Sequence, residues 1–139
     1  MSKKIKNLDC VLLIDDDDAT NFYHTLIVEE EWAGLPVQSV SSAKEGLDFL
    51  LSKGRYSDCP RPGIIFLDIN MPGMSGWDFM EKYNELSKDI HDRAVVAMLT
   101  TSINPDDLHR AAKVPRVKEF ISKPLTPEIF WKVVNENFI

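Results

Sequence analysis

"CVLLIDDDDATN", residues 10–21, places four aspartates directly behind an unbroken apolar run. The run Cys10-Val-Leu-Leu-Ile14 is short and rich in β-branched residues. It predicts a strand buried on both faces that ends where the carboxylates begin. Asp15 and Asp16 then stand at the C-terminal edge of that strand. Carboxylates crowded together repel one another and favour their protonated forms unless water, cations or a metal ion holds them. Which of these applies depends on what else the chain brings to that edge.

Downstream, Ala19, Phe22, Leu26 and Ile27 recur at helical spacing, with Asp17 or Asp18 as the cap, and the helix ends near Trp32-Ala-Gly-Leu-Pro36. A short strand over 37–40 follows. Ser42-Ala-Lys-Glu45 has the form of a capping box and opens a second helix with Ala43, Leu47, Leu50 and Leu51 on its apolar side and Gly54 as its stop. "RYSDCPRP", with two prolines and no periodicity, reads as a loop. "GIIFLDI" is a third strand, again ending in an acid, Asp68. The turn-rich "NMPGMSG" leads into a helix carrying Trp77, Met80, Tyr83 and Leu86, and "AVVAMLTT" is a fourth buried strand that ends in hydroxyls. Asn104-Pro105 caps a short fourth helix, "VKEFIS" is the last strand, and Thr126-Pro127 opens a fifth helix with Ile129, Phe130, Val133, Val134 and Phe138.

Strand and helix thus alternate five times. Parallel strands need a crossover to return the chain, so this order predicts an α/β doubly wound sandwich, a five-stranded parallel sheet covered on both faces. In such sheets ligands bind beyond the strand C-termini, near the point where strand order reverses. Asp15, Asp16, Asp68, Thr100 and Lys123 all stand at strand ends and are expected to converge there.

At 139 residues the chain has room for one domain, 1–139, with an ordered core from about residue 8 and a short basic N-terminal tail. The apolar run behind that tail is too short for a signal peptide, and no transmembrane span is present. Two cysteines, one in a predicted strand and one in a loop, argue against a disulfide framework and for a cytoplasmic setting. With net charge −6 and scattered basic residues, direct nucleic-acid binding is not expected. His24, His91 and His109 lack mutual ligand spacing, which argues against zinc. Trp32, Trp77 and Trp131 read as partly buried packing residues, with Trp131 the candidate for a partner surface.

Oxygen-only ligands suit Mg²⁺, which takes a few carboxylates and keeps several waters. Asp15, Asp16 and Asp68 form such a set, and a carboxylate in it can also attack a phosphoryl group. Phosphoryl transfer needs mainly positioning and charge neutralisation, for which Mg²⁺, Lys123 and the Thr100 hydroxyl would serve. An acidic run alone more often caps a helix or faces water. Asp68, Thr100 and Lys123 at three other strand ends tip the reading toward a site.

Asp15-Asp16 behind an apolar strand, "FLDINMPGMSG", "VVAMLTT" and "FISKPL" resemble, in order, the receiver domain of two-component response regulators, over nearly the whole chain. The resemblance implies a flavodoxin-like fold with strand order 2-1-3-4-5. It implies Asp68 as phosphoacceptor, Asp16 as direct Mg²⁺ ligand, Asp15 acting through bound water, and the Asn70 backbone carbonyl as a further ligand. It makes Thr100 the switch hydroxyl, Lys123 the phosphate-binding ammonium, Lys123-Pro124 a cis peptide, and Phe120 an aromatic switch coupled to Thr100. Asn70 and Ser102 fall at rate-tuning positions. The phosphoryl donor would be a sensor histidine kinase or a histidine phosphotransfer protein. A downstream protein partner would meet the face of the fourth helix, fifth strand and fifth helix, with no membrane involved. Since the fifth helix runs to Ile139, a stand-alone switch is expected, working through a partner or passing the phosphoryl group on.

Three places depart from the family pattern. The loop around Cys59-Pro-Arg-Pro62 is long, Thr101 replaces a commonly smaller residue, and Pro115 precedes the last strand where glycine is common. Two other readings remain at this stage. Asp16-Asp-Asp18-Ala-Thr20 fits D-x-D-x-T, the nucleophile motif of haloacid-dehalogenase-like phosphatases, although it begins one residue late and would leave "DINMPGMSG" without a role. The other is a receiver-like interaction module that is never phosphorylated.

Overall fold

In the computed structural model, which describes residues 8–91, 94–101 and 103–138, strands and helices alternate in the order the patterns require. They are β1 (Val11–Ile14), α1 (Asp18–Glu31), β2 (Val37–Val40), α2 (Ala43–Leu50), β3 (Ile64–Asp68), α3 (Gly76–Asn84), β4 (Val95–Thr100), α4 (Pro105–Lys113), β5 (Val117–Ser122) and α5 (Pro127–Phe138), with one further helical turn, Lys88–His91, between α3 and β4. Ser102, the basic segment 1–7, Ile139 and the His91 side chain lie outside the described residues. The five strands form one parallel sheet in the order β2-β1-β3-β4-β5.

Period-two alternation builds two cores from the same strands. Leu12, Ile14, Ile65, Leu67, Val96 and Met98 face one side and pack against Phe49 and Leu50 of α2 and Phe79, Met80 and Tyr83 of α3. Val11, Leu13, Ile64, Phe66, Ala97 and Leu99 face the other, against Val28 of α1 and Phe130, Val133 and Val134 of α5. Both faces of β1, β3 and β4 are therefore apolar, which is why these strands read as unbroken hydrophobic runs. β5 is an edge strand of half-buried and exposed residues, and a register irregularity falls between Val96 and Ala97 where it pairs with β4.

Several local expectations hold with identifiable caps. Ser42 accepts from the Glu45 N–H, Asn104 from the Asp107 N–H ahead of Pro105, and Thr126 Oγ1 from the Ile129 N–H. The Glu45 carboxylate does not close its box; it turns to Ser41 and Arg55 instead. Asp17 stands at the N-cap of α1, but its carboxylate accepts from the Thr20 hydroxyl rather than from a helix N–H.

Two expectations need correction. The apolar series Ala19, Phe22, Leu26, Ile27 is not the buried face of α1: Phe22 is 68% exposed and Leu26 also faces out, while Asn21, His24 and Val28 are buried. Polar residues occupy that face because they satisfy buried backbone groups there. Gly54 does not stop α2, which ends at Leu50; Ser52 and Gly54 both take positive φ, and Gly54–Tyr56 forms a 3₁₀ turn that buries Tyr56 within the expected loop. Trp131 is half-buried, as expected of a packing residue: it stacks on Trp32 at 5.7 Å and donates to Glu31 at 2.9 Å. Ahead of β5 the left-handed position is Arg116, φ 72°, one residue beyond Pro115. Asn84 braces that turn, donating to the Pro115 carbonyl and accepting from Arg116.

Candidate functional site

Strand order reverses between β1, whose successor β2 lies on one side, and β3, whose successors lie on the other. The crevice expected at such a switch point opens at the C-terminal ends of β1 and β3, where Asp15, Asp16 and Asp68 stand. One carboxylate oxygen from each lies within 4.8 Å of the others. Asp15 and Asp68 are 4% and 5% exposed, while Asp16 faces solvent. Three oxygen donors, two of them buried and one open to water, fit a hard divalent cation that keeps part of its hydration shell.

An ammonium already stands among these acids. Lys123 Nζ lies 2.6 Å from Asp15 Oδ2 and 3.0 Å from Asp68 Oδ1, with the lysine side chain 12% exposed. The Lys123 N–H donates to the Thr100 carbonyl at 2.7 Å, which carries the β4–β5 pairing past the strand end and aims the side chain back over the sheet edge. The peptide between Lys123 and Pro124 is cis, as the resemblance implied. Asp15 Oδ1 accepts from the Asp17 N–H at 3.0 Å, so both oxygens of this buried carboxylate are engaged.

Burial is the main cause that pushes the Asp68 carboxyl up to about 6; the Lys123 hydrogen bond opposes it and the charges of Asp15 and Asp16 add to it. Burial also works against the Lys123 ammonium, but its hydrogen bonds to Asp15 and Asp68 and their charges outweigh that and hold its pKa above the ordinary lysine value. The lysine therefore stays charged. The desolvated Asp68 carboxyl and the cation fixed beside it are a perturbed pair in a crevice, the kind of pair that marks a candidate site.

The structure places Thr100 at the end of β4, buried, on the same edge. Asn70 is exposed in the segment leaving β3. Phe120 lies further back on β5, half-buried, and lines a groove of about 250 Å³ with Leu108, Ala111, Ala112 and Val117. Thr101 lines a second crevice, of about 370 Å³, with Ala19, Thr20, Tyr23, His24, Lys123 and Pro124. Asp18 and Thr20 belong to the first turn of α1, Asp18 exposed and Thr20 bonded to Asp17, and the acid that joins Asp15 and Asp16 at the sheet edge is Asp68.

Three residues that shape the site were missed by the sequence reading. Asn21 Nδ2 donates to the Asp15 carbonyl at 2.9 Å and to the Val40 carbonyl at 3.1 Å, fixing the end of β1. His24 Nε2 accepts from the Leu125 N–H at 3.1 Å. Gly76 begins α3 so close to β3 that a Cβ there would lie 2.5 Å from the Asp68 carbonyl oxygen. For Asn21 and His24 a signal existed, two polar residues three apart in line with Val28 on one helix face.

An open, doubly wound parallel sheet with two buried acids, an exposed third and a lysine at its switch point defines an α/β protein with a charged crevice at the C-terminal edge of its strands. The chain matches the response regulator receiver domain over residues 11–135 and belongs to that family, whose members are signalling proteins of two-component systems rather than enzymes in the ordinary sense. Response regulator Rcp1 of Synechocystis sp. is 28% identical over 98 residues, 70% of this chain and 65%, just under two thirds, of Rcp1. The probable methanogenesis regulatory protein FilR2 of Methanothrix harundinacea is 28% identical over 132 residues, 91% of this chain and 79% of FilR2. A crystal structure of a two-component response regulator from Cytophaga hutchinsonii superposes with a TM-score of 0.82 at 33% identity, covering 96% of this chain and 97% of that one.

Proposed function

We propose that this receiver accepts a phosphoryl group on Asp68 from a phosphohistidine of a sensor kinase or phosphotransfer protein, and signals through a protein partner or by onward transfer. The observation that carries the reading is the Lys123 ammonium held between Asp15 and Asp68 at the sheet's switch point. A carboxylate oxygen of Asp68 forms a bond to phosphorus as the P–N bond breaks, and the departing imidazole takes up a proton. Above a pH of about 6 the attacking oxygen is ionised. Asp16, Asp68 and the Asn70 carbonyl, with Asp15 acting through bound water, would hold Mg²⁺, which when bound neutralises charge on the phosphoryl oxygens.

Lys123 would exchange its contact with Asp68 for a phosphoryl oxygen, staying a point charge at the same edge. The Thr100 hydroxyl, at the next strand end, would donate to another oxygen. Movement of Thr100 makes room for Phe120, three positions from Lys123 on β5, and Phe120 lines the groove between α4 and β5. Charge at the edge thereby biases the α4, β5 and α5 face on which a partner would dock. Asn70 and Ser102 would tune the lifetime of the phosphoryl group. Both cysteines are free, one buried and one half-buried, which suits a cytoplasmic site of action. Among the described residues no helix is long and apolar enough to cross a membrane.

Incubation with acetyl phosphate and Mg²⁺, followed by intact mass, tests the assignment. The expected result is an acid-stable, base-labile phosphoryl adduct on the wild type that is absent from Asp68→Asn and strongly reduced in Asp16→Asn. No adduct, under conditions that label another receiver, would mean an interaction module instead. Labelling kept in Asp68→Asn and lost in Asp16→Asn would restore the phosphatase reading.

A further inference from the structure

We propose that His24 is a positioning residue for Lys123, holding through the Leu125 N–H the turn that aims the ammonium at Asp15 and Asp68. His24 lies in the middle of α1, 2% exposed, between Asn21 and the core residue Val28 on the buried face of the helix. A residue needed only to fill that space would be aliphatic, because burying an imidazole costs free energy unless its polar atoms are used. Nε2 is used: it accepts from the Leu125 N–H at 3.1 Å across 101 positions of sequence. Leu125 precedes the first turn of α5, where helix geometry supplies no acceptor for its N–H.

The bond fixes the far side of the segment that carries Lys123. On the near side the Lys123 N–H is held by the Thr100 carbonyl at 2.7 Å, and two residues later Leu125, fully buried, is held by His24. Lys123 therefore sits between two anchored backbone positions. One turn earlier on the same helix face, Asn21 holds the carbonyl of Asp15. A single helix thus sets both partners of the 2.6 Å pair between Lys123 and Asp15. Accepting at Nε2 requires a neutral ring protonated at Nδ1. Burial favours that state, lowering the His24 pKa against the pull of Asp15.

The consequence for rate rests on Lys123 serving phosphoryl transfer as proposed above; the consequence for Lys123 geometry does not. Two readouts separate them. Reductive methylation followed by mass spectrometry reports how well Lys123 is held, with Lys44, whose side chain is 79% exposed, as internal control. The initial rate of adduct formation from acetyl phosphate reports chemistry. In folded His24→Leu, Lys123 modification should rise, and adduct formation fall, by about three- to tenfold, the range one buried hydrogen bond supports. His24→Gln, which keeps an acceptor, should lie near the wild type. In a Lys123→Ala background His24→Leu should cost nothing further in adduct rate.

Wild-type protection of Lys123 in His24→Leu, or an equal loss of rate in the Lys123→Ala background, would overturn the proposal. If no adduct forms on the wild type but Lys123 protection still depends on His24, the phosphoryl-acceptor reading falls and the positioning role stands. Ring ¹⁵N shifts of the unaltered protein give a check that needs no variant: a proton on Nε2 would sink the proposal, and the Nδ1–H tautomer supports it.

Discussion

Asp68 carries a thermodynamic cost that can be read from its surroundings. Its carboxyl is pushed up to about 6, chiefly by burial, from an ordinary value of 3.8. Between those values the folded protein retains a proton that the unfolded chain has already lost, so raising the pH through that window favours unfolding. The stability this group contributes is complete below about 3.8 and gone above about 6. Asp68→Asn removes the titration while its amide keeps an oxygen for Lys123 Nζ. In EDTA, its stability advantage over the wild type should therefore grow from pH 4 to pH 6 and then level off, at on the order of 1–3 kcal/mol. Urea unfolding of both proteins across that range checks it. A difference that does not change with pH would mean Asp68 is not held out of water in solution.

For the elements, α1 makes the sharpest contrast between pattern and packing. Phe22, Tyr23 and Leu26 look like core residues and stand in solvent, while Asn21 and His24 look like surface residues and are buried. The reason is position: α1 follows directly on β1 and packs over the ends of β1 and β2, where backbone carbonyls need donors, and over the turn before α5, where an N–H needs an acceptor. Hydrophobic periodicity cannot register such demands, because they come from segments up to 101 residues away. The helix should respond accordingly. Phe22→Ser is expected to change stability by less than about 0.5 kcal/mol, whereas Val28→Ala, made at a fully buried position, should cost about 1–3 kcal/mol. Chemical denaturation of the two variants checks this, and a larger loss for Phe22→Ser would mean the outer face of α1 is covered in solution.

The whole molecule explains what was legible in the sequence and what was not. Alternating strands and helices, the apolar runs of β1, β3 and β4, the acids and hydroxyl at their ends and the lysine behind β5 all follow from the parallel sheet, so sequence order carried them. What order could not carry was pairwise: Lys123 bridging Asp15 and Asp68, Gly76 pressed on the Asp68 carbonyl, Arg116 in the left-handed turn, Trp131 stacked on Trp32. The edge that results concentrates three carboxylates against one ammonium, a set whose charge is incompletely compensated. A ligand that binds only the folded state stabilises it by RT ln(1 + [L]/Kd), so a divalent cation at this edge must raise the melting temperature. At about a hundredfold excess over Kd the gain is about 2.7 kcal/mol, or on the order of 10 °C for a chain of this size. Because Asp68 has to give up its proton to bind the cation well, the effect should be larger at pH 7.5 than at pH 5.5. Asp16→Asn, changing the one exposed member, should reduce it without disturbing the buried pair. Calorimetry with MgCl₂ against NaCl of equal ionic strength separates site binding from screening; equal melting temperatures in the two salts would mean that Lys123 alone balances these acids.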